Sequence, residues 1–124
     1  MAKFRSWNKE LKCFIRFKNG RYYIENIKGF KGYKGNGSYS YYFNWQNAEQ
    51  STGRKDNNGI EIFVGDILKY ENSTIYGVKL NPVRSEIALF FNNKIYAFPF
   101  GDLRHNLEIV GSIHENKELL NELQ

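Results

Sequence analysis

Apolar positions in this chain recur mainly at intervals of two and are broken by short clusters of turn formers. In Cys13-Phe14-Ile15-Arg16-Phe17-Lys18 apolar and charged residues interleave; Asn19-Gly20 follows, and Arg21 to Ile27 resumes the β-prone run. Two such runs around Asn-Gly predict a hairpin. Phe4–Trp7 and Leu11–Phe17 read as strands. Tyr39–Trp45 reads as another, with five aromatics in seven residues. Further on, Ile60–Phe63, Asp66–Tyr70, Ile75–Leu80, Glu86–Phe91, Ile95–Phe98 and Leu107–Ile113 form short β-prone segments, with Asn92-Asn93 as a tight turn. Strands spaced by about 8–12 residues predict a small barrel or sandwich. In the tail, Leu119, Leu120 and Leu123 fall at helical spacing behind Asn116, a candidate N-cap.

The expected fold is therefore mainly β (small α+β). It is a compact barrel-like antiparallel sheet with an N-terminal hairpin and one short C-terminal helix. Length predicts one domain over residues 1–124. Within it, 1–49 form basic, aromatic strands and a Gly-rich loop, 50–114 the barrel-like core, and 115–124 the helix. Residues 28–38, Lys-Gly-Phe-Lys-Gly-Tyr-Lys-Gly-Asn-Gly-Ser, hold four glycines and predict a loop. Residues 50–59 are polar, end in Asn57-Asn58-Gly59, and predict another.

Charge changes this picture more than composition does. Residues 1–35 carry ten basic and two acidic groups, +8, whereas the other 89 carry eight basic and eleven acidic, −3. A basic segment on a faintly acidic remainder predicts two functional surfaces. Cys13 is the only cysteine, which excludes an internal disulfide and a Cys-based zinc knuckle and suits a reducing cytoplasm. No apolar run follows Lys3 and Arg5, and none approaches the length of about 20 residues that spans a membrane. A soluble intracellular chain without a membrane partner is expected.

Three stretches resemble the YopX family of phage and prophage proteins. Lys3-Phe4-Arg5-Ser6-Trp7-Asn8 is similar to the family's Lys-Phe-Arg-Ala-Trp start. Thr52-Gly53-Arg54-Lys55-Asp56-Asn57-Asn58-Gly59-Ile60-Glu61-Ile62-Phe63-Val64-Gly65-Asp66-Ile67 is similar to its Thr-Gly-x-Lys-Asp-x-x-Gly-x-Glu-Ile-(Tyr/Phe)-x-Gly-Asp-Ile signature. Leu107 to Leu120 resembles the closing segment. Residues 9–49 depart from these motifs. The resemblance implies a small β-rich, phage-encoded protein in the cytoplasm of a bacterial host and carries over no catalytic residues. Physically, Gly59 and Gly65 suit turns with positive φ, and Asp66 suits backbone N–H groups at a corner.

Candidate chemistry is sparse. Asp56, Glu61, Asp66 and Asp102 would serve a Mg²⁺-dependent nuclease only if they converged, and their spacing does not show that. His105 and His114 stand at no metal-ligand spacing with Cys13, and Cys13 lacks an adjacent base. No phosphate-binding loop, nucleophile elbow or dinucleotide fingerprint occurs. No enzyme, metal or cofactor is expected.

The strongest candidate is basic and aromatic. Lys28, Lys31 and Lys34 alternate with Phe30 and Tyr33, near Arg16, Lys18 and Arg21, and thirteen of the 21 aromatics lie in residues 1–45. Cations beside stacking rings are the chemistry of single-strand or RNA binding. The leading expectation is thus a non-enzymatic phage-encoded accessory protein that binds nucleic acid through those eight residues. The alternative is a protein-interaction module, docking on a host or phage protein or on copies of itself through Tyr41, Tyr42 and Trp45. A metal-dependent nuclease is the least favoured.

Overall fold

In a computed structural model of the chain, the structure describes residues 3–25, 31–32, 39, 41–70, 74–81, 83, 86–92, 94–97 and 107–123. The chain divides into two compact units, Met1–Ser51 and Thr52–Gln124. Unit 1 carries ten basic and three acidic residues, +7, and unit 2 eight and ten, −2. The charge asymmetry of the sequence thus follows the division of the fold.

Unit 1 is an antiparallel sheet of β1 (Lys3–Asn8), β2 (Cys13–Lys18), β3 (Arg21–Glu25), β4 (Lys31–Gly32) and the first residues of β5 (Glu49–Lys55), in the order β4-β3-β2-β1-β5. Asn19 and Gly20 join β2 to β3 at φ of 56° and 74°. Two positive values match the twist of flanking strands in a two-residue hairpin, and Asn-Gly is the pair that adopts them most readily. Between β1 and β2 the Asn8 side chain accepts from the Leu11 N–H at 2.8 Å, and Lys12 turns the chain at φ 53°.

Unit 2 holds the rest of β5, β6 (Glu61–Phe63) and a five-stranded sheet. Its strands are β7 (Asp66–Tyr70), β8 (Ile75–Asn81), β9 (Glu86–Phe91), β10 (Lys94–Ala97) and β11 (Leu107–Ser112), in the order β10-β9-β8-β7-β11. Ile62, Leu68, Val78, Leu89 and Leu107 form its buried core, flanked by Tyr70, Tyr76, Ile87 and Ile109. Alternation explains the set: Leu68 and Tyr70, Tyr76 and Val78, Ile87 and Leu89 are each two residues apart. The short helix α1 (Lys117–Leu123) packs against β8 and β9. No described helix is long and apolar enough to cross a membrane.

The mainly β expectation is borne out, with the hairpin and the helix, but the sheet does not close into a barrel. It ends on β10 and β11. At β11, the Leu107 carbonyl accepts from Asn57 N–H at 2.9 Å and the Ile109 N–H donates to the Asp56 carboxylate at 3.1 Å. A loop satisfies the edge where a closing strand would otherwise pair.

Two local expectations are corrected. Tyr39–Trp45 is not a strand: the chain turns at Tyr41-Tyr42 and forms a 3₁₀ turn, Trp45–Asn47, capped by the Asn44 side chain on Gln46 N–H. Strand propensity yields there to the packing of Phe43, which is buried against Phe17 and Tyr22. Residues 50–55 are strand rather than loop, with the Thr52 hydroxyl donating to the Ile62 carbonyl at 2.7 Å. Asn116 does precede the helix, but its side chain turns back to accept from Ser112 N–H at 3.2 Å.

Candidate functional site

The site is a consequence of register. Across the antiparallel strands, Lys3 faces Lys18 and Lys18 faces Arg21; one step on, Phe4 faces Phe17 and Phe17 faces Tyr22; next, Arg5 faces Arg16 and Arg16 faces Tyr23. Partners in register share a sheet face, and successive residues point to opposite faces. One face of unit 1 therefore collects Lys3, Arg5, Arg16, Lys18 and Arg21, with Trp7, Phe14 and Tyr23. The other collects Phe4, Phe17 and Tyr22.

On the aromatic face Phe43 and Trp45 complete a cluster. Trp45 lies 5.4 Å from Phe4 and 5.0 Å from Phe17, centroid to centroid, and 4.6 Å from Phe43. Phe43 reaches Tyr22 at 5.4 Å, and the indole N–H donates to the Tyr22 hydroxyl at 3.3 Å. Rings at these separations in tilted or edge-on poses attract beyond their area burial. The Ser6 hydroxyl, fully buried, anchors the covering segment by accepting from Asn44 N–H at 3.0 Å and donating to Asn47 Oδ1 at 2.8 Å.

The basic face is graded. Arg5 is buried, its Nε donates to Glu49 at 3.0 Å, and its guanidinium sits 4.0 Å over the Phe14 ring. Phe14 is also buried and packs edge-on against Trp7 at 5.0 Å. These groups are structural. Toward the hairpin tip, Lys3 and Lys18 are half-buried and Arg21 is exposed. Strands about 4.8 Å apart make this row span about 10 Å. Like charges directly opposite one another repel, and here Lys18 has one on each side.

The structure thus brings Arg16, Lys18 and Arg21 to one face, as expected of a shared surface, and adds Lys3. Its alternation in Lys3-Phe4-Arg5 was the signal in the sequence; its partner, Lys18, was not visible there. Lys31 enters β4, its backbone opposite Glu25. Lys28, Phe30, Tyr33 and Lys34 lie outside the described residues. Tyr41, Tyr42 and Trp45 are 85 %, 38 % and 49 % exposed, and Trp45 is at once part of the aromatic cluster.

The acidic candidates serve the backbone. Asp56, 2 % exposed, accepts from Asn58 and Ile60 N–H with one oxygen, each at 2.9 Å, and from Ile109 N–H with the other. Asp66, also buried, accepts from Phe63 N–H at 2.8 Å beside Gly65 at φ 97°. Among the described residues no cluster of His, Cys, Asp or Glu could hold a metal ion. Asp102 and His105 lie outside them. Burial pushes the Cys13 thiol above its ordinary range.

Comparison with known proteins agrees with this layout. The family model described as YopX protein matches residues 3–121, a span that includes residues 9–49. Three solved chains match, among them the crystal structure of protein EF1440 from Enterococcus faecalis. That chain is 25 % identical, with a TM-score of 0.60, over 97 % of this chain and 98 % of its own. The comparison with curated proteins found no match.

Proposed function

We propose that this chain, which belongs to the YopX family, binds nucleic acid through the basic face of unit 1 and performs no chemistry on it. The observation that carries the proposal is the Lys3–Lys18–Arg21 row. Three cations in register set positive charge in a row, which neighbouring phosphates complement. The +7 charge of the unit adds attraction at longer range. The setting is that of a phage-encoded accessory protein in a bacterial cytoplasm.

Titrating the protein with labelled single-stranded RNA and DNA across salt concentrations tests this. With three phosphates neutralised, affinity should fall about 20-fold between 50 and 200 mM salt. The double variant Lys18→Gln, Arg21→Gln should flatten the log–log slope by about 1.4. Binding that is absent, or indifferent to both changes, would refute the proposal.

The exposure of Tyr41, Tyr42 and Trp45 on one segment favours a second reading, docking on a host or phage protein or on another copy of the chain. Retention of a partner from nuclease-treated lysate, lost in Tyr41→Ala, would select it over the first.

A further inference from the structure

Tyr23 stands directly beside the cations of the basic face. It is paired in register with Arg16, is two residues along β3 from Arg21, and lies diagonal to Lys18. Direct cross-strand neighbours have Cβ atoms about 5 Å apart, and diagonal ones about 7–8 Å. Two other rings of this face pack on each other. Phe14 is buried beneath the Arg5 guanidinium, with the Arg16 guanidinium 5.8 Å from its centroid, and Trp7 meets it edge-on. Tyr23 is half-buried, so its neighbours hold the ring while part of its surface stays accessible. Two residues of β3, about 7 Å, separate it from the Lys18–Arg21 pair.

We infer that Tyr23 is a base-stacking residue and that the ligand is a single-stranded nucleic acid, held at its phosphates by Lys18 and Arg21. Resting on the nucleic-acid reading above, this adds a ring contact and the strandedness of the ligand. Sequence-tolerant single-strand binders set aromatic side chains among their cations, and bases stack on those rings. A base offers its π-face to a side chain once it is unpaired and unstacked, whereas interior bases of a duplex have both faces covered by their neighbours. A nucleotide carries its phosphate and its base on opposite sides of the sugar. It therefore bridges the gap of about 7 Å between the Lys18–Arg21 pair and Tyr23. Every base has a π-face, so this contact tolerates sequence.

The experiment uses the full chain and probes of equal length: oligo-dT, oligo-rU, an abasic deoxyribose-phosphate strand and a mixed-sequence duplex. Anisotropy reports affinity. Wild type should hold oligo-dT and oligo-rU about 5- to 150-fold more tightly than the abasic strand, the share of one stacked base. Tyr23→Leu should lose that factor on both oligomers, keep its affinity for duplex and abasic strand within about twofold, and leave the salt slope unchanged. Tyr23→Phe keeps the ring and should bind as wild type does. Lys18→Gln should instead flatten the slope on each single strand by about 0.7. Irradiating wild type with oligo-dT carrying 5-iodouracil should crosslink Tyr23, a readout that needs no variant. Three results overturn the inference and leave nucleic-acid binding standing. They are equal wild-type affinity for oligo-dT and the abasic strand, crosslinks at other residues without Tyr23, and a Tyr23→Leu effect that is nil or extends equally to abasic strand and duplex. No binding to any probe overturns both readings.

Discussion

Replacing Asp56 tests whether this buried carboxylate is a turn device or a ligand in waiting. It accepts three backbone hydrogen bonds, two within its own loop and one from Ile109 in β11. Hydrogen bonds to a charged acceptor contribute about 1.5–3 kcal/mol each, and neutral ones about 1 kcal/mol. Asn58 and Ile60 are exposed, so their N–H groups can turn to water after truncation; Ile109 is half-buried and cannot do so as readily. Taking about 1 kcal/mol for each of the first two and about 2 for the third, Asp56→Ala should destabilise unit 2 by about 4 kcal/mol. Asp56→Asn keeps one acceptor oxygen and turns an NH₂ toward the Ile109 N–H, so it should lose about 2 kcal/mol. Both tryptophans, Trp7 and Trp45, lie in unit 1, so their fluorescence is the wrong probe. Native-state hydrogen exchange at the amides of 58, 60 and 109 is the right one. Protection should fall in the order wild type, Asn, Ala, most steeply at Ile109. Unchanged protection at Ile109 in the alanine variant, or Mg²⁺ that stabilises the wild type and not the variants, would refute the structural assignment.

Other outcomes follow from single contacts. Lys18→Gln removes two like-charge cross-strand pairs, so chemical denaturation at low salt should show a gain of about 0.5–1 kcal/mol, shrinking as salt is added. A Cβ at Gly77 would sit 2.2 Å from the Phe90 ring. Gly77→Ala should therefore lower stability by about 1–3 kcal/mol, while Gly77→Ala with Phe90→Leu recovers part of the loss. Cys13, held above its ordinary value of 9.0 by desolvation, should react with iodoacetamide more slowly in the folded than in the unfolded chain at the same pH. Because its folded-state pKa is the higher one, its contribution to stability is intact below 9.0 and is lost as pH rises through the folded value.

What was legible in the sequence was local. Asn19-Gly20, Asn92 at φ 53° and Gly65 announced their turns because only a few residue types accept such backbone angles. The strands around them, and the helix at the tail, followed from period and spacing. Tyr39–Trp45 misled because a run of aromatics has strand propensity in isolation, whereas rings from β1, β2 and β3 decide its conformation here. The role of Asp56 was hidden for a similar reason: Ile109 is 53 residues away, and no local pattern connects them. The basic face was half legible. Alternation within β2 already separates Lys18 from Phe17, but only the register with β1 and β3 sets Lys3 and Arg21 beside it.

That register hangs on the Asn19-Gly20 turn, and with it the chemical identity of each surface. Side chains alternate with a period of two, so one residue added between Lys18 and Arg21 must be absorbed as a bulge or else exchange the faces of β3. An exchange would aim Arg21 at Phe17 and Phe43 and set Tyr22 among the lysines. The length of this turn is therefore held to a parity. Natural or engineered variants can vary its two residues within the limits of positive φ, but an odd change in their number would rewrite what both faces of the unit can bind.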